Sequence, residues 1–258
     1  MKKSLKIEAL SEFLGTSLLL LAIVGSGFMV SKLTDDDAVQ LLINAISTIL
    51  TLFVIIKLFS EISGSHFNPV VTLLLRSKAD FSNLKAVVYI TAQILGAIFG
   101  TVLANVMFSD SAIQLSNSNR INSQTFIGEL IATFGLLFVI TLRSFESHIL
   151  VPAWIGAAYF FTASTAFANP AVTVGRVFTD SYSGISANSI AGFIAAQLVA
   201  YFKDGPGGFY LHAPVLGRDD WQDYEYHVYE DKVVVKDPSE VIFEGSWNDF
   251  RQFCLGAN

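Results

Sequence analysis

Apolar runs set the first limit on what this chain can be. Residues 9–30, 41–59, 84–108 and 126–142 each come close to the roughly 20 apolar residues a helix needs to cross a hydrocarbon layer about 30 Å thick. Two weaker runs follow at 149–163 and 187–202. With 52% hydrophobic and 15% charged residues and a mean hydropathy of +0.53, the chain is too apolar for an ordinary water-soluble domain. The pattern predicts six membrane-crossing helices in an all-α membrane protein. Lys2 and Lys3 ahead of the first run imitate a signal peptide, but Glu8 and Glu12 interrupt it and no small-residue cleavage site stands out. The first helix is therefore expected to be retained.

Six spans put both ends of the bundle on one side. Lys2, Lys3, Lys6, Lys57, Arg76, Lys78, Lys85 and Arg143 flank the spans on that side, against Lys32, Arg120 and Arg176 on the other. The excess predicts a multi-pass plasma-membrane protein with both termini cytoplasmic, in a bacterial inner membrane. One cysteine, Cys254, excludes a disulfide framework and any multi-cysteine metal site. No basic stripe is present to neutralise phosphates, so nucleic acid is not an expected partner. No His-Glu-x-x-His or Gly-x-Ser-x-Gly pattern occurs, and neither an enzyme activity nor a cofactor is expected.

The apolar body repeats itself. Glu12, in Ser11-Glu12-Phe13-Leu14-Gly15-Thr16, is matched by Glu129 in Gly128-Glu129-Leu130-Ile131-Ala132-Thr133. Asn68-Pro69-Val70-Val71-Thr72 is matched by Asn169-Pro170-Ala171-Val172-Thr173, and Ala92-Gln93 by Ala196-Gln197. Three landmarks recur in one order, and with three spans per half the two halves must be inverted.

Asn-Pro opening a short apolar segment marks a helix start, because Asn is a favoured N-cap and Pro is pre-organised for the first helical position. Segments 68–77 and 169–178 are too short to span, so they are expected to be half-helices entering from opposite faces. Irregular backbone at membrane depth persists only where it lines a cavity or is packed in protein. N-termini meeting near the midplane would focus roughly half an elementary charge each, a barrier to cations and protons. The Asn68 and Asn169 amides would offer N–H donors to the same lumen, with carbonyl acceptors from residues 64–67 and 165–168. Such a path suits small neutral hydroxylic solutes.

The paired motif, with Ser63-Gly64-x-His66, Glu12, Glu129, Gln93 and Gln197, resembles the aquaporin/glycerol-facilitator (major intrinsic protein) family over about residues 5–202. The resemblance implies a right-handed bundle of six tilted helices with two re-entrant half-helices, one pore per subunit and a homotetramer in the lipid bilayer. It also implies that Glu12 and Glu129 accept hydrogen bonds from the re-entrant loops, whereas their chemistry alone would allow proton carriage. His66 is expected to anchor its loop, with pH gating as the alternative.

The chain departs from the family at the outer constriction. Members usually carry Arg directly after the second Asn-Pro-Ala, where this chain has Val172. Arg176 follows about one helical turn later; it is a substitute filter cation, a tie to the outer loop, or a solvent-facing charge. Family spacing puts the other filter positions at Thr48, near Ala157, and at Ala166 or Phe167. A constriction of Thr, Ala and Val is wider and less polar than a water-only filter. The expectation is an aquaglyceroporin-like passive channel for water plus glycerol, urea or undissociated metalloid acids; resemblance links bacterial members with the Asn-Pro-Ala-Val-Thr variant to arsenic handling. The rival expectations are an ion-coupled transporter, which would need an ionisable residue beside an Asn-Pro, and a membrane-anchored interaction protein with an impaired pore.

Gly96-x-x-x-Gly100 predicts close helix packing, and Asp35-Asp36-Asp37 a solvated loop without a metal site. Residues 1–202 hold 11 Lys+Arg and 11 Asp+Glu, while residues 203–258 hold 5 and 11, so the whole net charge of -6 belongs to the tail. The channel body is expected at 1–202 (repeats at about 5–108 and 125–202) and an acidic soluble tail at 203–258. The last helix ends about ten residues early by the repeat's logic, and the resemblance stops near Tyr201. The tail predicts strands at 224–229, 232–236 and 241–243, then a helix from a Ser246-x-x-Asp249 capping box to about Leu255. It is either an appended regulatory or interaction segment or a departure of the reading frame from the ancestral one.

Overall fold

The computed structural model describes residues 4–76, 81–108, 111–142, 146–204, 225–228, 233–236, 241–246 and 249. The chain divides into two compact units, Met1–Tyr201 and Phe202–Asn258.

In the first unit α1 (Leu5–Leu33) and α2 (Asp37–Ser63) form an antiparallel pair. Asp36 starts α2 by accepting the Ala38 and Val39 N–H groups at 2.9 and 3.0 Å, the usual repair for orphaned first-turn donors. Gly64 ends it at φ +86°, a left-handed cap that glycine adopts without cost. The short α3 (Pro69–Leu75) follows, then α4 (Asn83–Phe108). The second half repeats the order with α5 (Ser123–Leu142), α6 (Ser147–Phe161), the short α7 (Pro170–Gly175) and α8 (Ala187–Asp204). A single 3-10 turn, Arg176–Phe178, extends α7. Among the described residues there are thus six longer helices and two half-helices, and four of the six are long and apolar enough to cross a membrane by themselves. The other two, α6 and α8, have 15 and 18 residues, or roughly 22 and 27 Å.

The bundle buries several polar side chains beside its apolar core and exposes many apolar ones on its surface. Glu12, Gln93, Glu129 and Gln197 are fully buried, while Leu50, Leu58, Val87 and Phe160 stand exposed on its surface. That apolar surface suits a lipid surround, because tails solvate Leu and Val as well as a core does. Helix α1 packs closely on α4: a Cβ at Gly96 or Gly100 would fall onto the backbone carbonyl of Phe13 or Ser17. In α8, Ala200 occupies the place that Gly96 holds after Gln93, and Asp204 that of Gly100.

The second unit contains a three-stranded antiparallel meander, β1 (Glu225–Val228), β2 (Val233–Lys236) and β3 (Val241–Gly245), with an irregularity between Val235 and Lys236. Ser246 and Asp249 form a reciprocal box, Ser246 N–H and Oγ donating to Asp249 Oδ2 at 3.0 and 2.6 Å. These bonds hold the Asp249 carboxyl below its ordinary range. The helix expected to run on to Leu255 lies outside the described residues, as does the end of the half-helix expected at Ser77.

Candidate functional site

The two Asn-Pro motifs start the half-helices and also join them. Asn68 caps α3 by accepting the Val70 N–H at 3.0 Å, and Asn169 caps α7 by accepting those of Ala171 and Val172 at 2.9 and 3.3 Å. Pro69 and Pro170 fill the first helical position, where the missing N–H has no partner to lose. Each amide nitrogen then reaches across the inverted repeat. Asn68 Nδ2 donates to the Ala168 carbonyl and Asn169 Nδ2 to the Phe67 carbonyl, both at 2.8 Å. Each residue preceding one Asn therefore receives the amide of the other. An amide has two N–H donors, so one per Asn is not used by these bonds.

The loops that bring these N-termini together are bent in a way their sequences do not favour. Ser65, Phe67, Thr165, Ala166 and Ala168 all have φ between 47° and 61°, a region costing a non-glycine residue on the order of 1–3 kcal/mol. Two buried carboxylates hold Phe67 and Ala168 there, while Ser65, Thr165 and Ala166 donate to Ser63 Oγ, the Thr162 carbonyl and Ser164 Oγ. Glu12 accepts from Ser63 Oγ (2.6 Å), His66 N–H (3.0 Å), Phe67 N–H (2.7 Å) and Gln93 Nε2 (2.8 Å). Glu129 accepts from Phe167 N–H, Ala168 N–H and Gln197 Nε2 at 2.8, 2.8 and 2.6 Å. The four acceptor directions of a carboxylate are all used at Glu12. Gln93 and Gln197 also donate to Thr72 and Thr173, tying each half-helix to a full helix. The His66 ring shares this inner network, its Nδ1 3.1 Å from Thr72 Oγ1.

The expected filter residues do not all converge. Thr48 is buried and meets the Tyr159 hydroxyl at 3.0 Å. Ala166, Phe167 and Val172 are buried in the cluster that contains Tyr159. Ala157 is not in that cluster and is exposed on α6. Two residues along a helix is about 200° of rotation, so Ala157 and Tyr159 point apart. The α6 side chain facing Thr48 is Tyr159, which family spacing did not single out. A hydroxyl-bearing aromatic within an otherwise apolar helix was the available signal.

Val172 leaves its place without a cation, and Arg176 is largely buried. It is 3% exposed, donates from Nε to the Ser183 carbonyl and stacks its guanidinium 3.6 Å from the centroid of the Phe167 ring. Of its expected roles, the tie to the outer loop is present. Arg120 donates from Nη2 to the neighbouring Tyr182 carbonyl at 2.7 Å, and burial pushes its guanidinium below the ordinary range. Asp36 acts as a helix cap among exposed neighbours, and the described residues contain no His/Cys/Asp/Glu group fit to hold a metal.

Comparison with known proteins relates the chain to a family and to a known fold. The sequence profile of the family described as Major intrinsic protein matches residues 1–163. The aquaglyceroporin AqpS of Rhizobium meliloti (strain 1021) is 41% identical over 74% of this chain and 84% of its own length. Aquaporin-4 of Rattus norvegicus is 26% identical over 80% of this chain and 62% of its own. Among solved structures, the aquaglyceroporin from Plasmodium falciparum superposes with a TM-score of 0.58 at 24% identity, covering 78% of this chain and 96% of that one. That likeness speaks for the fold.

Proposed function

This chain belongs to the major intrinsic protein family, and from that premise we propose that it is a passive channel for water and for glycerol-sized neutral solutes, including urea and undissociated metalloid acids. The observation that carries the reading is the reciprocal amide clasp of Asn68 and Asn169 combined with Val172 where an arginine would narrow the path. Each Asn keeps one donor for a passing hydroxyl, and the two half-helix N-termini raise a positive barrier to cations and protons. Pro69, Val70, Pro170 and Ala171 serve this arrangement by starting the two half-helices where the amides meet. A solute that is neutral and rich in hydroxyls exchanges its water for these donors and for loop carbonyls at little cost.

Thr48, Ala166, Phe167 and Val172 form the wide outer step in this reading, with Tyr159 supplying the hydroxyl opposite Thr48. The working form is a homotetramer in a bacterial plasma membrane with both termini cytoplasmic. Glu12, Glu129 and His66 are loop anchors: the two carboxylates accept loop N–H groups, and the His66 ring meets Thr72 of α3. Stopped-flow light scattering on proteoliposomes tests the reading, with water, glycerol and urea all expected to pass faster than through protein-free vesicles. A chain that passes water alone contradicts the wide step.

The sequence around the last apolar run supports a second reading, a membrane-anchored protein with an impaired pore. That run goes only five residues past Gln197, to Phe202, before Lys203-Asp204-Gly205-Pro206, whereas its repeat partner goes 15 residues past Gln93, to Phe108. Absence of any facilitated flux in the full chain, with flux gained on extending α8 through the missing turns, would establish it.

A further inference from the structure

Two guanidinium groups stand close together beyond α7 with no carboxylate partner among the described residues. Arg176 is held by the Ser183 carbonyl and Arg120 by the Tyr182 carbonyl, so adjacent carbonyls of one loop position both cations within electrostatic reach of each other. The acid nearest in sequence is occupied elsewhere, Asp180 Oδ1 accepting the Asn117 N–H at 3.3 Å. Glu129 is committed to its loop.

Arg176 is 3% exposed, yet only its Nε is bonded to the described residues. A guanidinium has five N–H donors, and the four on Nη1 and Nη2 are left over. Neither nitrogen is among the sealed, unpartnered atoms of the described residues, so these donors face space that a solute can reach. The guanidinium rests on Phe167, and Phe167 precedes Ala168, whose carbonyl takes the Asn68 amide. The guanidinium therefore rests on a residue of the same loop that carries one acceptor of the clasp.

We propose that Arg176, seated on Phe167 and backed by Arg120, is a binding site for a small oxyacid anion at the outer mouth of the channel. The inference rests on the channel reading for its location and extends it with a ligand class. A guanidinium edge matches two acceptor oxygens borne on one carbon or phosphorus atom, the bidentate geometry of carboxylate and phosphonate. Two like charges held together out of bulk water repel, and an anion between them removes that repulsion. Val172 contributes no donor, so selection for oxygen acceptors moves one turn outward to Arg176.

Methylphosphonate offers such an edge and is the probe. Glycerol entry into proteoliposomes bearing the full chain is measured with rising external methylphosphonate, and with sodium chloride at matched ionic strength. Methylphosphonate is expected to slow glycerol entry and chloride to leave it unchanged. Loss of charge-assisted bonds in Arg176→Met is expected to raise the half-blocking concentration about tenfold or more. Arg176→Lys keeps the charge without the fork and falls between, and Arg120→Gln shifts it by about threefold. Equal block by chloride, or an unchanged half-blocking concentration in Arg176→Met, overturns the proposal. If that variant does not fold, failure of both Arg176→Lys and Arg120→Gln to weaken the block overturns it equally. Calorimetric titration of methylphosphonate into the full chain in detergent reads the same ranking without flux. A chain that binds the probe but passes no glycerol would contradict the channel reading and leave the site standing.

Discussion

Glu129 shows how much a single residue holds in this molecule. Its carboxylate takes two loop N–H groups and the Gln197 amide, and hydrogen bonds to a buried charge are worth roughly 1.5–3 kcal/mol each. Glu129→Leu leaves those donors unpaired around a bent loop. It is expected to cost on the order of 4 kcal/mol and to lower the thermal unfolding midpoint in detergent. A proton-carrier role predicts the reverse, a stable protein that loses only a pH-dependent flux. Register is the second question at this scale. Ala157→Trp changes an exposed position and is expected to leave the glycerol-to-water flux ratio as it was. Tyr159→Phe removes the hydroxyl paired with Thr48 and should alter that ratio, about twofold to tenfold for one hydrogen bond. A narrowed solute range in Ala157→Trp would restore the register expected from family spacing. The sequence revealed the Asn, Pro and Glu residues because each has a local or repeated signature. It did not reveal the left-handed loop backbone, since Ser65, Phe67, Thr165, Ala166 and Ala168 carry no Gly or Asn signal. At Phe67 and Ala168 a carboxylate distant in sequence holds that conformation through the backbone N–H.

Among the elements, the half-helices were the most legible and the outer loops the least. Asn-Pro punctuation and its repetition located α3 and α7, and their starts at Pro69 and Pro170 agree with it. Arg176 could not be placed from sequence because its environment depends on the Ser183 carbonyl and the Phe167 ring, contacts that periodicity does not record. The α1–α4 contact is legible in Gly96-x-x-x-Gly100 and rests on backbone proximity, not on side-chain fit. Gly100→Leu must push α4 away from the Ser17 carbonyl. The expected outcome is loss of the monodisperse detergent-solubilised species in size-exclusion chromatography, whereas Leu58→Ala on the exposed surface should leave it intact.

For the whole molecule, the inverted repeat explains why one clasp can be made twice. Neither half has both an amide and the carbonyl that accepts it; each supplies one of each to the other. The acidic tail lies in the second compact unit, and its three short strands were legible as alternating β-branched segments between charged turns. The central claim concerns the path through the first unit, and Val172 is its most specific feature. The direct test is stopped-flow flux of water, glycerol and urea through proteoliposomes containing the native chain or Val172→Arg. The account predicts that the native chain passes all three and that Val172→Arg loses glycerol and urea flux, by about tenfold or more for a polar group filling an apolar constriction, while keeping water flux. A native chain that passes only water, or a Val172→Arg variant with the native solute range, would contradict it.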